Sequence, residues 1–423
     1  MTSRRGHAIL ARLFTFFAAC LLLHNATVID PAHASARVRD VVIRDGRIAA
    51  GACEKKIDLT DKFIVPGFFD HHAHLFLHAW DRDGNIRPRW DREATLQMLR
   101  LFLRFGVTTI RDPGAETEAA VKLRDMVRAG KVVGPHIITA GRIINDGRLD
   151  AEPFVQLRDA DAIRREIQWQ KKAGVDLIKI YAALPPDLVK VAIDEAHAQH
   201  LPIIGHMQAT SWLQAAEMGI DGVEHAADWN ENMLLPDKRA AYDNSMFGRV
   251  YWLENLDSAA VDRTIAALKE HHVAVDPTLM AIATKFFPRW IENPDNKLMP
   301  QIWQEGSAAG NFTRTWMPVQ FAEAQEAWPK LLAFVKKIYD AGVPMIAGTD
   351  TPTPWIAPGA SMHDEMVLLH DAGIPNMAIL KMSCSAMSEG SPADLVVLTA
   401  NPLDDIRNTR SIASVYKDGV PVQ

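Results

Sequence analysis

Cysteine, long basic runs and long apolar runs are all scarce in this chain of 423 residues. Its three cysteines, Cys20, Cys53 and Cys384, are too few for a disulfide framework or a cysteine-rich zinc site, so any metal must use other ligands. Lys and Arg form no long run and the formal net charge is only -6, which argues against a nucleic-acid-binding protein. A small-molecule substrate is therefore the expected partner.

The first 20 residues resemble a secretory signal. Two arginines, Arg4 and Arg5, precede an apolar run over 8–23, which is typical of the n- and h-regions of a leader. Phe-Ala-Ala-Cys, which ends at Cys20, has the form of a weak lipoprotein box. We expect a secreted or periplasmic protein, with a lipid anchor on Cys20 and an uncleaved N-terminal anchor as alternatives. No later stretch is apolar enough to span a bilayer.

Both ends of the chain carry short strand-like segments. Residues 21–58 alternate apolar and polar side chains around the turn signal Asp45-Gly46, and the last residues do the same around Asp418-Gly419. We therefore predict that 21–63 and 390–423 pair in one small β-sandwich module.

Residues 64–389 switch to short apolar strands that alternate with amphipathic helices, the pattern of parallel βα units. Eight such units favour a closed α/β fold, the TIM (β/α)₈ barrel, over an open sheet. The region 277–328 is too long for a loop, so we expect a helical insert above the C-terminal face of the barrel. The predicted strands are 64–72, 107–112, 136–140, 176–181, 202–206, 222–225, 273–276 and 344–350.

Several polar residues fall at the carboxyl ends of these predicted strands, where barrel active sites lie. His72 and His74 are two residues apart, so both side chains point to one face and can share a cation. Taken singly, each polar residue is equally compatible with an ordinary surface loop. Together they predict a metal site whose ligands are His72, His74, Lys179, His206, His225 and Asp350.

Lys179 lies among apolar residues in a predicted buried strand, where a bare ammonium would carry a large desolvation cost. Some group must neutralise it. Carboxylation would turn the amine into an anionic carbamate that bridges two metals. The alternative is a lysine that points outwards along a neighbouring helix.

These residues lie in the motifs PGFFDHHAH, GVDLIKIY, IIGH, GVEH and AGTDTP, and the chain closes with ADLVVLTANPLDDI. In these motifs the chain, from Leu21 to its end, resembles the amidohydrolase superfamily, in its imidazolonepropionase-like and prolidase-like branch. The resemblance implies that His72 and His74 bind one metal and that His206 and His225 bind a second. It also implies the remaining roles: carboxylated Lys179 bridges the metals, and Asp350 binds one of them, takes a proton from the bridging hydroxide and passes it to the leaving group.

Two divalent metal ions are therefore the expected cofactors. Imidazoles and carboxylates suit Zn²⁺ best, although Mn²⁺, Fe²⁺ or Co²⁺ would also fit. The expected activity is hydrolysis of a C–N bond in a peptide-like or N-acyl compound with an apolar group. Lactones, cyclic imides and organophosphates are alternative substrates for the same kind of site. We also expect a homo-oligomer.

Weaker candidates for substrate contact are Tyr181, His363 and Trp229. Tyr181 lies two residues after Lys179 and hence on the same strand face, whereas His363 follows the loop after the eighth strand. Trp229, after the sixth strand, favours an apolar or aromatic substrate group, and core packing is equally compatible with it.

The chain departs from the resemblance near its end. Only SAMSEGSP joins MAILKMSC to ADLVVL, where members of the superfamily usually have a longer segment. The shortening removes no expected ligand, but it would weaken the docking of the last helix. A non-catalytic relative that keeps the barrel shape is therefore an alternative to an enzyme.

Overall fold

The computed structural model describes residues 20–76, 79–80, 86–87, 91–147, 152–227, 230–243, 245–311 and 313–422. Its strands are β1 (Cys20–Asp30), β2 (Ser35–Arg44), β3 (Arg47–Ala49), β4 (Lys55–Asp58), β5 (Phe63–Pro66), β6 (Phe68–Asp70), β7 (Ala79–Trp80), β8 (Ile86–Arg87), β9 (Val107–Asp112), β10 (His136–Thr139), β11 (Ile143–Asn145), β12 (Phe154–Gln156), β13 (Ile178–Ile180), β14 (Ile203–Gly205), β15 (Gly222–Glu224), β16 (Ala274–Asp276), β17 (Leu395–Leu398), β18 (Ile412–Lys417) and β19 (Val420–Pro421). Its α-helices are α1 (Arg92–Arg104), α2 (Thr117–Arg128), α3 (Ala160–Ala173), α4 (Pro186–Ala198), α5 (Trp212–Met218), α6 (Gly248–Glu254), α7 (Ser258–Glu270), α8 (Leu279–Phe286), α9 (Gln301–Ala309), α10 (Pro318–Asp340), α11 (Ala360–Asp371) and α12 (Asn376–Ser383).

Both chain ends form one sheet, in the order β19-β18-β17-β5-β1-β2-β3, with β4 also paired to β1. Strand β5 lies between β1, which runs parallel to it, and β17, which runs antiparallel. The predicted first barrel strand, 64–72, was therefore wrong at its start. Its first residues belong to this terminal sheet and only β6 belongs to the barrel, because the chain changes sheet at Gly67, whose N–H donates to the Asp394 carbonyl.

A disulfide joins Cys20 to Cys53, across a Cα separation of 5.4 Å. Cys20 is also the first residue of β1, and the leader boundary after residue 20 stays a prediction. The leader itself, residues 1–19, lies outside the described part of the chain. Cys384 carries a free thiol, and burial raises its pKa.

The parallel strands close into a barrel. Strands β6, β9 and β10 are neighbours, as are β13, β14, β15 and β16. Single bridges complete the ring: Ala140 pairs with Leu177, Val275 with Met345, and Ala73 with Thr351. The segment 344–351 takes the place of the eighth barrel strand. It pairs with β16 through Met345 and with the residues after β6 through Thr351. The expected (β/α)₈ barrel is thus confirmed.

The barrel helices bury one apolar face against the strands. In α4 the buried side chains recur at the spacing of an amphipathic helix, at Leu188, Val189, Ala192, Ile193 and Ala196. Pro186 begins that helix, where its missing N–H costs nothing.

The predicted insert contains α8, α9 and the start of α10. Its predicted end at residue 328 falls inside α10, because this helix continues without a break into the helix that follows the seventh strand. Trp303 is almost fully buried, and Trp316 packs against the rings of Phe247 and Phe286. The insert tryptophans Trp303 and Trp316 therefore contribute mainly to packing.

The shortened segment near the C-terminus is well docked. The backbone of Cys384 forms an isolated antiparallel β-bridge with that of Phe68, and the N–H of Ser385 donates to the Gly67 carbonyl at 2.9 Å. Met387 lies in the core of the terminal sheet with 6% of its surface exposed. These contacts hold the segment between the barrel and the terminal sheet, and its effect on stability stays a prediction. Among the described residues, no helix combines the length and the apolar character needed to cross a membrane.

Candidate metal centre

Hydrogen bonds lock the two segments that carry His72, His74 and Asp350 together. The N–H of Asp350 donates to the His72 carbonyl at 2.8 Å, and that of His74 donates to the Thr351 carbonyl at 2.7 Å. The buried carboxylate of Asp70 accepts from the N–H of His72 at 3.1 Å and from the N–H of Thr349 at 3.0 Å. The three predicted ligands are therefore fixed by the closure between the first strand and the eighth position.

The six predicted ligands lie in one cluster. Ring centroids are 5.1 Å apart for His72 and His74, 4.9 Å for His72 and His225, and 4.5 Å for His206 and His225. Asp350 Oδ1 lies 3.3 Å from His72 Nε2 and 3.7 Å from His74 Nε2. Lys179 joins the cluster through Glu224, as described below.

Three of the imidazoles turn Nδ1 towards the protein. His74 Nδ1 donates to the Gly114 carbonyl at 3.3 Å, and His225 Nδ1 is 2.8 Å from Thr278 Oγ1. His72 Nδ1 lies 3.3 Å from Glu224 Oε1. A hydrogen bond on one ring nitrogen fixes the orientation of the other, so Nε2 of His74 and of His225 is the nitrogen left for a ligand.

Burial first, and then the charges of Lys179 and His225, hold the pKa of His72 well below its usual range. Its imidazole is therefore neutral, which is the form that binds a metal ion.

His225 and Asp350 both have a left-handed backbone, with φ of 66° and 64°. This conformation is uncommon for residues other than glycine, and it concentrates at functional sites. Thr353 Oγ1 donates to Asp350 Oδ2 at 2.8 Å, so one carboxylate oxygen is held by the loop while the other faces the histidines. The side chain of Asp350 is 15% exposed and can be reached from solvent.

Lys179 is buried, as predicted, and its Nζ contacts Oε2 of Glu224. The other oxygen of Glu224 accepts from Arg111 Nη2 at 3.0 Å. The group that neutralises the lysine in this structure is therefore a neighbouring carboxylate. Glu224 was not among the predicted site residues.

Further acidic residues lie beneath the cluster. Asp276 Oδ2 is 3.5 Å from Arg111 Nη2, and burial raises the pKa of Asp276 to about 7. Burial likewise raises the pKa of Asp70 to about 6, against the hydrogen bonds from Thr349 and His72 that lower it. Polar side chains thus extend from the C-terminal face into the barrel interior.

Among the described residues, three groupings of ligand atoms have the reach to hold a metal ion, and two of them lie in this cluster. One consists of His72, His74 and Asp350, and the other of His72, Glu224 and His225, with ligand atoms no more than 4.8 Å apart.

A third grouping lies at the opposite end of the barrel and consists of His136, Asp394 and Asp418. There Lys417 Nζ lies 2.7 Å from His136 Nε2, so a lysine stands within this grouping.

The three residues predicted to contact substrate have different outcomes. The ring of Tyr181 is 4.5 Å from that of His206, beside the cluster. The prediction for His363 was wrong, because α11 turns this side chain into the core beside Phe68. Its Nε2 is hydrogen-bonded to the Phe105 carbonyl at 3.0 Å, and its Nδ1 to Thr409. Trp229 lies outside the described residues.

Two further side chains that follow barrel strands are already bonded within the protein. Trp252, another tryptophan after the sixth strand, is buried and donates to the Asn230 carbonyl at 2.9 Å, so it packs in the core. Arg142, a candidate partner for a substrate carboxylate, already binds Glu166 through two nitrogens.

The site residues that the sequence analysis missed differ in whether a sequence pattern could have identified them. Asp70 shares the alternation of His72 and His74, so period-two counting could have included it. Glu224 directly precedes His225, and strict alternation would send the two side chains to opposite faces. The left-handed backbone of His225 breaks that alternation, and no motif signals it.

A closed parallel barrel with a polar cluster at the carboxyl ends of its strands defines the class, a barrel enzyme. The chain belongs to the amidohydrolase family, whose profile matches residues 63–422. Hydrolase chemistry therefore follows from the family.

Several proteins are similar to this chain in sequence or in fold. An uncharacterized protein of Mycobacterium tuberculosis is 25% identical over 382 residues, which cover 85% of either chain. Among solved structures, a Xaa-Pro dipeptidase with bound methionine in the active site is 20% identical, with a TM-score of 0.67 over 95% of this chain and 99% of that one. A bottromycin amidohydrolase is 20% identical, with a TM-score of 0.71 over 95% and 86%. These two structures share the fold with this chain.

Proposed function

We propose that the protein is a metal-dependent hydrolase that cleaves a C–N bond in a peptide-like or N-acyl compound. The observation that carries the proposal is the convergence of His72, His74 and Asp350, with Nε2 of the two imidazoles facing one carboxylate oxygen. Such a set of neutral imidazoles and carboxylates matches the ligand preference of Zn²⁺.

The residues present fit two divalent ions. His72 and His74 would hold one ion, and His206 and His225 the other, with Asp350 completing the set and Lys179 between them as a carbamate. Bound ions at this place would lower the pKa of a water molecule and polarise the substrate carbonyl. Lys179 Nζ contacts Glu224 in this structure, so carboxylation requires the lysine to leave that partner.

Asp350 is the proposed general base. Thr353 holds Oδ2, so Oδ1 is the oxygen that faces the histidines and can take the proton of the attacking water. The same carboxyl group then returns this proton to the nitrogen of the leaving amine. Its partial exposure allows both transfers without a further relay.

The substrate assignment rests on chemistry beside the cluster. The Tyr181 hydroxyl is proposed as a donor to the substrate carbonyl, because its ring lies against that of His206. The names of the structural relatives, a dipeptidase and an amidohydrolase, support an amide or peptide bond. An apolar side group is the proposed feature of the substrate, and Trp229 stays a predicted contact to it.

The test combines metal analysis with a substrate panel. Purified protein should contain close to two equivalents of divalent metal, and should hydrolyse members of a panel of N-acyl amino acids, dipeptides, lactones and organophosphates. Asp350→Asn should abolish turnover, whereas His197→Ala, on the exposed face of α4, should not change it. Turnover of lactones or organophosphates with no amide cleaved would contradict the C–N assignment, and protein that takes up no metal would contradict the enzyme.

We also propose that the protein is exported and carries no lipid. The Cys20–Cys53 bond supports export, because disulfides persist in oxidising compartments. The same bond uses the sulfur that a lipidated cysteine would need, so the bond and a lipid anchor on Cys20 exclude each other. Denatured protein from the periplasm or medium should show one free thiol, and a mass increase from an acyl glyceride would contradict the proposal.

A further inference from the structure

We infer that Thr278 and Glu365 form a positioning pair that fixes the orientation of the His225 imidazole for metal binding. The inference rests on the proposed function in one respect, that His225 is a metal ligand. Neither residue is itself a proposed metal ligand. Thr278 lies in the turn that joins strand β16 to helix α8, at the C-terminal face of the barrel, and Glu365 reaches the start of α8 from helix α11.

The first observation is a contact to the ring. Thr278 Oγ1 lies 2.8 Å from His225 Nδ1, and both side chains are buried. When Nε2 binds a cation, Nδ1 carries the proton and donates to this hydroxyl. The threonine thus holds the ring in the plane and the tautomer that a metal requires.

The second observation is the backbone of Thr278, which has φ 45° and ψ 52°. A β-branched residue in the left-handed region is rare and strained, and such strain persists where the surroundings impose it. The conformation turns the chain between Asp276, the last residue of β16, and Leu279, the first residue of α8. It is this turn that brings the hydroxyl to His225.

The third observation is that a residue other than the N-cap residue caps the start of α8. Thr278 occupies the N-cap position, where a threonine hydroxyl normally accepts from a helix N–H, but it makes no such bond. Instead, Glu365 of α11 accepts from the N–H groups of Leu279 at 2.9 Å and Met280 at 2.7 Å. Because a distant carboxylate caps the helix, the Thr278 side chain is available for His225.

Glu365 is fully buried, and it holds the first turn of α8 from a helix more than 80 positions further along the chain. It therefore fixes the one segment whose backbone must stay strained. Glu365 stabilises the backbone conformation of the turn, and Thr278 contacts the His225 ring. Removal of either side chain should therefore loosen the His225 imidazole.

The experiment measures Zn²⁺ affinity of chelator-treated full-length protein against a chromogenic chelator, together with the melting temperature of the metal-free form. Thr278→Val removes the hydroxyl and keeps the β-branch, whereas Thr278→Ser keeps the hydroxyl. Thr284→Val is the matched control, because Thr284 is a buried threonine of the same helix whose hydroxyl has no hydrogen-bond partner.

Thr278→Val should weaken one of the two Zn²⁺ equivalents about 10- to 100-fold, the usual effect of losing a partner of a metal-binding histidine. The other equivalent should be unchanged, Thr278→Ser should restore the affinity, and Thr284→Val should behave as the unmutated protein. The metal-free melting temperatures should agree within about 4 °C. Equal Zn²⁺ affinities for Thr278→Val and Thr284→Val would overturn the inference.

Glu365→Gln provides a second route if Thr278→Val does not fold. It leaves one acceptor oxygen for two N–H donors, and should weaken the same Zn²⁺ equivalent. Unchanged affinity in Glu365→Gln would also overturn the inference. Failure of the unmutated protein to bind any Zn²⁺, Mn²⁺ or Co²⁺ is a separate result, which contradicts the proposed function and is visible before any variant is made.

Discussion

Lys179 and Glu224 form an ion pair inside the barrel, with 2% and 1% of their side chains exposed. Glu224 also binds Arg111, so it stands between two buried cations. Glu224→Ala should leave both cations without their shared carboxylate. Breaking a buried pair in this way costs roughly 3–5 kcal/mol, so the free energy of unfolding of the metal-free protein, measured in urea, should fall by about that amount.

The matched control is Glu254→Ala, which breaks a surface pair with Lys330. Exposed pairs contribute roughly 0–1 kcal/mol, so this variant should unfold close to the unmutated protein. Similar urea midpoints for the two variants would show that the buried pair is solvated and that its partners reorganise freely.

Replacement of Lys179 by Ala should remove activity, because the proposed carbamate bridge is lost. We expect a decrease of roughly 10²–10⁴-fold in kcat/KM, the range for loss of a positioned catalytic group. Acetate or propionate should restore part of the activity by occupying the vacated space. Lys190→Ala, at an exposed lysine of α4, is the control. A Lys179→Ala protein with full activity and no response to carboxylic acids would rule out the bridge.

Gly348 is required by close approach between the first strand and the eighth position. A Cβ at this residue would lie 2.6 Å from the His72 nitrogen and 2.5 Å from Asp276 Oδ2. The backbone cannot retreat, because Asp350 and His72 are hydrogen-bonded beside it. Gly348→Ala should therefore lower the free energy of unfolding by about 2–3 kcal/mol and reduce metal content.

Gly222→Ala is the comparison for that measurement, since its nearest neighbour would be a side-chain methyl group of Ile204 at 3.2 Å. It should cost less, because a side chain can adjust where a backbone cannot. Metal content that is the same in both glycine variants would contradict the close-approach argument.

His136 joins the barrel to the terminal sheet through Asp394 and Asp418, at 3.2 and 3.3 Å. Burial lowers the pKa of His136, but hydrogen bonds to these two carboxylates outweigh it and raise the pKa to about 9. A folded-state pKa above the usual 6.5 means that this stabilisation is complete below pH 6.5 and is lost as the pH rises through 9.

His136→Gln should therefore reduce the free energy of unfolding by about 1 kcal/mol at pH 6, after allowance for partial exposure of the imidazole, and by almost nothing at pH 10. Urea unfolding at the two pH values measures this difference. His197→Gln, at a surface histidine, controls for general effects of pH. A deficit that is equal at both pH values would contradict the protonated bridge.

Much of the fold was predictable because barrel strands are short, apolar and regularly spaced. The strands at 107–112 and 222–225 were predicted within one residue, since turns or polar residues bound each apolar run. The run FIVPGFF misled the prediction because it serves two sheets in succession, and nothing local marks the change except Gly67. The pairing of the two chain ends was predicted from their shared strand-like character, but the strand order of the sheet is a tertiary property.

The site was predictable where it depends on alternation within one strand or on position at a strand end, as for His72, His74 and Asp350. Residues that act across elements were missed, because Glu365 caps a helix 86 positions away and Glu224 meets Lys179 from another strand. No spacing rule links such pairs. The two-ion stoichiometry, the carbamate and the homo-oligomer stay predictions, and light scattering would test the last.

The position of β5 between β1 and β17 has a consequence for the order of synthesis. Residues 63–66 leave the ribosome more than 300 residues before their antiparallel partner, residues 395–398. Until then, one hydrogen-bonding edge of β5 is open, and an open edge can pair with another chain. A transcript cut short before that point would therefore yield a protein with a nearly complete barrel, in which this edge of β5 stays unpaired and prone to aggregation.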